Sequence, residues 1–196
     1  MAQSAFGAEY ARFAPFAAAE TNTAAPTYKD AFSLGGLVSA TETPNLTAGN
    51  LYSDNKETLR KDAVSSYTVA LTTDGLNNND AAVLYGAEFD ETSGELRRDT
   101  EDSPPFGGFA YIRNIATEDD EYYKGYFYPK TKAAPAADGA NTRGQNVTYS
   151  TTSVNLTAFK PKHKGTKVRI ESKNYETFEE AAAWVDSKLS QTPTEP

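Results

Sequence analysis

The chain has 196 residues, of which 38% are hydrophobic and 12% aromatic, and its formal net charge is −8. That length fits one domain with a substantial hydrophobic core, and no apolar run approaches the roughly 20 residues that a membrane-spanning helix requires. The absence of cysteine excludes disulfides and cysteine-based metal or redox sites. The acidic balance disfavours a broad phosphate-binding surface, which would need clustered Lys and Arg. It does not exclude DNA as a passenger that slides past a like-charged wall.

The N-terminal segment predicts an irregular arm. Residues 1–32 are rich in Ala, Thr and Asn and show no sustained period of 2 or 3.6. Ser4, Glu9 and Arg12 interrupt its apolar residues, so we expect no secretion signal. The predicted domain organisation is therefore an arm over 1–32, a β domain over 33–190 and a short tail over 191–196.

The first part of the β domain predicts two strands and a hairpin. Leu34–Thr43 has strand composition and is predicted to end at Pro44. Residues 50–61 form a polar hairpin pattern with too few apolar side chains to bury a face, so we expect this hairpin to project. Val64–Thr73 alternates apolar and polar residues, as a half-buried strand does.

A short internal helix and a small hairpin follow. Asp80 is predicted to cap an apolar helix over Ala81–Tyr85, and Gly86 is predicted to terminate it. Acidic and polar residues on both sides of Thr92, Ser93 and Gly94 predict the hairpin.

The strongest β pattern lies in the middle of the chain. Phe106–Ile115 alternates regularly, and Tyr122–Tyr128 has a matching pattern, so we expect these strands to pair across an acidic turn at residues 118–121. Residues 131–146 form a loop rich in Ala, Pro, Gly and Asn, whose length suggests a functional role. Strand patterns resume after it and continue to Glu171.

The end of the chain predicts an amphipathic helix. Thr177 with Glu180 three residues later forms a capping box. One face of the helix carries Phe178, Ala181, Ala182, Val185 and Leu189, with Trp184 at its border. The helix should therefore lie across a sheet.

The residues that carry chemistry do not form a recognisable catalytic, cofactor-binding or metal-binding pattern. The single histidine, His163, lies in the basic segment KPKHKGTK, without a nucleophile motif or a second histidine for zinc. No glycine-rich phosphate-binding motif is present. The acidic run Glu118, Asp119, Asp120 and Glu121 is interpreted as a solvated turn rather than a calcium site or an acid–base pair. We therefore expect no enzyme activity and no cofactor.

The tyrosines of the central hairpin allow two interpretations. Tyr122, Tyr126 and Tyr128 fall on one face of their strand, and such a stripe can stack on sugars or bases. The alternative, which we favour, is a half-buried sheet packed under the C-terminal helix.

Several segments in a fixed order resemble a known family. These are DAAVLYGAEFDETSG, FGGFAYIRN, EYYKGYFYPKTKAAP, NVTYSTTSVNLTAF and the Trp-bearing FEEAAAWVDSKL. The ordered set is similar to the major tail proteins, or tail-tube proteins, of siphophages of Gram-positive hosts. The resemblance covers roughly residues 63–190.

The resemblance implies a mainly β (α+β) fold, a β-sandwich or partly closed barrel with a flanking C-terminal helix and one short internal helix. It implies six copies in a ring and rings stacked into a tube, through which DNA passes without specific binding. The implied partners are further copies of the chain, the tape measure protein and the tail terminator and distal tail proteins, with no membrane. The implied location is the virion tail, assembled in the host bacterial cytoplasm.

Roles for individual residues follow within this hypothesis. Intersubunit contacts are predicted at Leu51, Tyr52, Asp54, Lys56, Leu59 and Arg143. The core is predicted to include Tyr111, Tyr126, Phe178 and Trp184. The four acids at 118–121 are candidates for the lumen or the outer surface, where they would disfavour phosphate adhesion.

Three other functions remain open at this stage. A carbohydrate- or host-surface-binding β-sandwich would use the tyrosine stripe. Another phage structural role, such as head decoration or head–tail joining, would give rings or trimers without long tubes. A hydrolase working through Glu and Asp would need a deep acidic cleft.

Overall fold

The computed structural model describes residues 4–53, 56–118, 120–135 and 150–190, and for residues 48–53 and 56–61 it describes only the backbone. The described strands are β1 (Ser4–Pro15), β2 (Phe32–Ser33), β3 (Leu37–Ser53), β4 (Lys56–Thr73), β5 (Glu88–Asp90), β6 (Glu95–Arg97), β7 (Phe106–Ala116), β8 (Glu121–Ala134), β9 (Thr152–Ala158) and β10 (Ile170–Tyr175). The described helices are α1 (Asn78–Tyr85) and α2 (Phe178–Leu189). The chain is thus mostly β, as its sequence predicts.

Eight antiparallel strands form the main sheet, in the order β2-β1-β7-β8-β9-β4-β3 with β10 on β8. Strand β8 lies at the centre of the sheet. Strand β7 pairs along one of its edges. On the other edge β10 pairs with residues 123–127 and β9 pairs with residues 131–134. The strands β1 and β3 pack against each other without pairing, so the sheet curls but does not close into a barrel. Strands β5 and β6 form the predicted small hairpin.

The two faces of the sheet bury two separate hydrophobic clusters. Alternate residues of β7 and β8, among them Phe109, Tyr111 and Tyr128, point into the curl and meet side chains of β1, β4 and β9. The residues between them, such as Ile112 and Phe127, point to the opposite face and lie beneath α2. Because successive side chains point to opposite faces and both faces are covered, the central hairpin is apolar on both of them.

Helix α2 forms as its sequence predicts. Thr177 is its N-cap and accepts a hydrogen bond from the backbone N–H of Glu180. Ala181, Val185 and Leu189 are buried against the sheet, one turn apart on the same face. Trp184 is half-buried and covers Gly125 of β8, where an added Cβ would lie 2.5 Å from the indole Cε3.

The prediction of an irregular N-terminal arm is wrong for residues 4–15, which form β1 and pair with β7. Two register shifts interrupt this pairing, one beside Phe6 and one between Glu9 and Arg12, where Tyr10 has φ +58°. Because a bulge changes which side chains face inward, the two-residue period that identifies strands is lost. The folded domain therefore begins at β1, rather than at residue 33.

Three predicted boundaries also need correction. Strand β3 continues through Pro44, which pairs with Tyr67, because β3 is an edge strand and can tolerate a missing N–H. The α1 helix is capped by Asn77 rather than Asp80, whereas Gly86 ends it in the left-handed conformation, as predicted. The loop predicted at 131–146 begins later, since β8 runs to Ala134, and residues 136–149 lie outside the described part of the chain.

We expect Gly125→Ala to lower the free energy of unfolding by about 1–3 kcal/mol, because the added methyl group displaces the Trp184 indole and with it α2. Urea unfolding of the wild type, the two single variants and the double variant with Trp184→Ala measures this coupling. In the Trp184→Ala background the cost of Gly125→Ala should fall to a few tenths of a kcal/mol. An equal cost in both backgrounds would show that the helix does not constrain this position.

Candidate functional site

The hairpin predicted near residues 50–61 exists and is longer than expected. The pairing of β3 with β4 extends from Leu37, opposite Thr73, to Ser53, opposite Lys56. In contrast, β9 pairs with β4 only as far as Tyr67. Beyond that point, in the part of the chain that the structure describes, the hairpin pairs only with itself. We call residues 44–67 the projecting hairpin.

Two apolar side chains are exposed near the base of the projecting hairpin. Leu46 of β3 and Val64 of β4 are direct cross-strand partners and are 65% and 48% exposed. The pairs Pro44–Tyr67 and Leu46–Val64 lie on either side of a register shift. Among the described exposed hydrophobic residues, these two form a paired patch on a strand surface.

A buried carboxylate anchors the base of the projecting hairpin. The Glu42 side chain on β3 is only 8% exposed. It accepts hydrogen bonds from the Tyr128 hydroxyl at 2.7 Å and from Arg169 Nη1 at 2.8 Å. Arg113 Nη2 lies 3.8 Å from the same carboxylate. We call these four residues the Glu42 cluster, and they join β3 to β7, β8 and the segment that precedes β10.

The cluster continues outward through alternating charges and aromatic rings. The guanidinium groups of Arg113 and Arg169 lie 4.6 and 5.0 Å from the centre of the Tyr126 ring. Arg169 also contacts Glu171, which pairs with Lys124. Cation–π contacts and ion pairs thus compensate the arginines, whose isolated burial would be costly.

Burial and these contacts shift several pKa values. Desolvation raises the pKa of Tyr111 to about 12 and raises that of Tyr128 further, with the Tyr111 charge and the Glu42 hydrogen bond adding to the latter shift. The hydrogen bond from Lys124 lowers the pKa of the Glu171 carboxyl. The tyrosines therefore stay protonated, and Glu171 stays charged, throughout the neutral range.

The sheet leaves two strand edges exposed beside this cluster. Two edges have no pairing partner in the described residues: the outer edge of β3, and the edge of β1 that faces away from β7 in the part before Arg12. An open cleft of about 420 Å³ separates them, lined mainly by small residues and by Glu42 and Arg113. Phe6 and Val38, which are 56% and 60% exposed, lie at bulges on its two sides.

The acidic turn between β7 and β8 lies at one end of the sheet. Glu118, Asp120 and Glu121 are exposed, and Asp119 lies outside the described residues. Tyr175 at the end of β10 pairs with Tyr123, so the end of β10 lies beside the turn. The Asp120 charge, and more weakly that of Glu176, raise the pKa of Tyr122. This end of the molecule is therefore acidic.

The remaining predicted site residues fall into two groups. Tyr111 and Tyr126 are core residues. Phe178 and Trp184 are half-buried at the border of the hydrophobic cluster between α2 and the sheet. Four of the predicted contact residues lie in the part of the projecting hairpin for which the structure describes only the backbone: Leu51, Tyr52, Lys56 and Leu59. Asp54 and Arg143 lie outside the described residues.

Two of the three tyrosines of the stripe are inaccessible to a ligand, whereas Tyr122 is half-buried. Tyr126 and Tyr128 are 6% and 0% exposed, on the inner face of the curled sheet. The favoured alternative was right about burial but wrong about the partner, since α2 covers the opposite face. The sequence analysis did not identify Glu42 or Arg169. Glu42 lies two residues after the inward-facing Ala40 on β3, and an acidic residue on that face could have indicated a buried charge.

Within the ranges that the structure describes, no group of three or more His, Asp or Glu side chains is arranged to hold a metal ion. Neither of the two described helices is long and apolar enough to cross a bilayer. No family model and no curated protein matches the chain in sequence. The resemblance to siphophage major tail proteins therefore stays a prediction, based on the segments quoted above.

Two buried tyrosines offer a matched test of the Glu42 cluster. The Tyr128 hydroxyl donates a hydrogen bond to Glu42, whereas the Tyr111 hydroxyl lies near the Arg113 guanidinium without a hydrogen bond of normal geometry. We expect Tyr128→Phe to lower the free energy of unfolding by about 1.5–3 kcal/mol, and Tyr111→Phe to leave it within about 0.5 kcal/mol of the wild type. Urea unfolding at pH 8 measures both, and equal losses would contradict the cluster.

The Tyr111 pKa also predicts an alkaline effect. A folded-state pKa of about 12, above the usual value of 10, contributes stability that is present below pH 10 and lost as the pH rises towards 12. Tyr111→Phe should therefore lose less stability than the wild type between pH 9 and 11, by about 1 kcal/mol. Unfolding curves at pH 9, 10 and 11 measure the difference, and parallel losses would contradict it.

Proposed function

We propose that the protein is a structural subunit that self-assembles into stacked rings forming the tail tube of a bacteriophage. Two observations together carry this proposal: the outer edge of β3 is unpaired, and the projecting hairpin exposes Leu46 and Val64. The ordered segments that resemble siphophage major tail proteins support it. The mainly β fold with its C-terminal helix is compatible with that resemblance.

The edge of β3 supports assembly on physical grounds. This strand has 17 residues, which is long for an edge strand. An exposed edge of this length is a template for pairing with another chain. Closing a ring of identical subunits pairs such edges between neighbours and leaves few of them free.

The charge of the protein is compatible with a conduit for DNA. A net charge of −8 opposes adhesion of phosphates to a lumen wall. In the proposed assembly the subunit passes DNA without binding it specifically and meets tape measure, terminator and distal tail proteins at the ends of the tube. The proposed location is the virion tail, after assembly in the bacterial cytoplasm.

The first experiment examines the concentrated protein by negative-stain electron microscopy and sedimentation velocity. We expect rings, stacked rings or hollow tubes. Leu46→Asp combined with Val64→Asp should give a folded protein that does not assemble, because both aspartates fall on the exposed patch of the projecting hairpin.

A matched control separates this surface from general hydrophobicity. Val83 of α1 is also exposed, at 39%, and lies away from the projecting hairpin. Val83→Asp should assemble as the wild type does. Tubes of normal length from the Leu46→Asp, Val64→Asp variant would contradict a contact role for the hairpin base.

A further inference from the structure

A groove lies at the end of the β7–β8 hairpin opposite the acidic turn. It has a volume of about 460 Å³ and an apolar floor that includes Phe16, Pro105 and Phe106. The Phe106 ring is 39% exposed although it packs against Phe16 and Phe159. We call this surface the aromatic groove.

Lysines surround the aromatic groove. The ammonium groups of Lys130 and Lys132 lie 4.8 and 5.5 Å from the centre of the Phe106 ring. Lys162 lines the groove, and Lys160 and Lys164 are exposed in the same loop. Among the lining residues the one carboxylate, Glu20, is only 5% exposed and is already paired with Lys130 at 2.6 Å and with the Lys162 backbone N–H. The accessible charge at the rim is therefore positive.

The aromatic groove and the acidic turn are opposite ends of one rigid element. Phe106 begins β7 and pairs with Lys132, whereas Ala116 ends it and pairs with Glu121. At about 3.3 Å per residue, the 11-residue strand separates the two ends by about 33 Å. One molecule cannot bring its own turn to its own groove.

We propose that the aromatic groove receives the acidic turn of a second copy of this chain. The lysines would meet Glu118, Asp120 and Glu121, and the Tyr122 ring would lie near the apolar floor. This inference deepens the proposed function and rests on it, because it names the contact that gives the assembly its direction. Contacts between different surfaces of identical subunits are heterologous, so they close into rings or continue as open stacks.

Charge complementarity selects this partner. The turn has three described exposed carboxylates. Glu176, Glu179 and Glu180, at the end of β10 and the start of α2, lie at the same end of the sheet, because Tyr175 pairs with Tyr123. The rim of the groove carries lysines. Association by these surfaces is steered electrostatically and weakens as salt rises.

Reciprocal charge reversal tests the contact. One variant carries Lys160→Glu and Lys162→Glu at the groove, and the other carries Glu118→Lys and Glu121→Lys at the turn. Each alone has like charges at both ends, so assembly should require at least about tenfold more protein than the wild type. An equimolar mixture should assemble, because each variant complements the other. Lys29→Glu with Lys188→Glu is the control for charge alone and should assemble normally.

A carbodiimide cross-link tests the same contact in the unaltered protein. Equal amounts of ¹⁵N-labelled and unlabelled protein are mixed, cross-linked and analysed by mass spectrometry. We expect mixed-isotope links between the lysines of residues 160–164 and the acids of residues 118–121. The separation of about 33 Å prevents such links within one chain.

The outcomes separate the two proposals. If the wild type assembles and the groove variant assembles equally well, the groove contact is wrong and the tube proposal stands. If the wild type forms no rings, stacks or tubes at any concentration, the tube proposal fails and the cross-links decide the contact. Mixed-isotope links would then support a groove–turn contact in smaller oligomers, and their absence would overturn it.

Discussion

The buried carboxylate of Glu42 is the interaction on which the open side of the sheet depends. Removing a charge from water costs several kcal/mol unless partners replace its hydration. Here Tyr128, Arg113 and Arg169 supply those partners from elements that are distant from β3 in the chain. Strand β3 is therefore held at one register, and the point at which the projecting hairpin leaves the sheet is fixed within a few residues of Glu42.

The same constraint explains why the sheet stays open. Glu42 and Arg113 occupy the cleft between β1 and β3 and keep it polar. If the edges of β1 and β3 paired within one chain, the cleft would close. The partly exposed arginines that pair with Glu42 would then lose their remaining contact with water. The edges therefore remain free, and the hairpin continues past the last residue that β9 pairs. Fold stability and the exposure of the surfaces proposed for assembly thus depend on one arrangement of charges.

Local sequence patterns predicted those parts of the fold that local physics determines. The β7–β8 hairpin and α2 have regular periods and caps, and both form as predicted. Sequence patterns do not predict β1, because its bulges break the two-residue period. They predict that β3 ends at Pro44, because the sequence does not show that β3 is an edge strand. The Glu42 cluster was missed for a third reason. Its members are separated by up to 127 residues, and no local pattern joins them.

The segregation of charge reconciles a strongly acidic chain with the self-association proposed above. In physiological salt charges act over about 8 Å, so a net charge of −8 repels copies that come within that distance without matching their surfaces. When two copies touch, the charges at the touching surfaces determine whether they attract or repel. The aromatic groove carries lysines, whereas the acidic turn carries carboxylates. The two lie about 33 Å apart along β7, about ten residues at 3.3 Å each. In the proposed assembly, copies aligned head to tail bring opposite signs together, so the same charges that oppose unordered aggregation would favour one direction of growth.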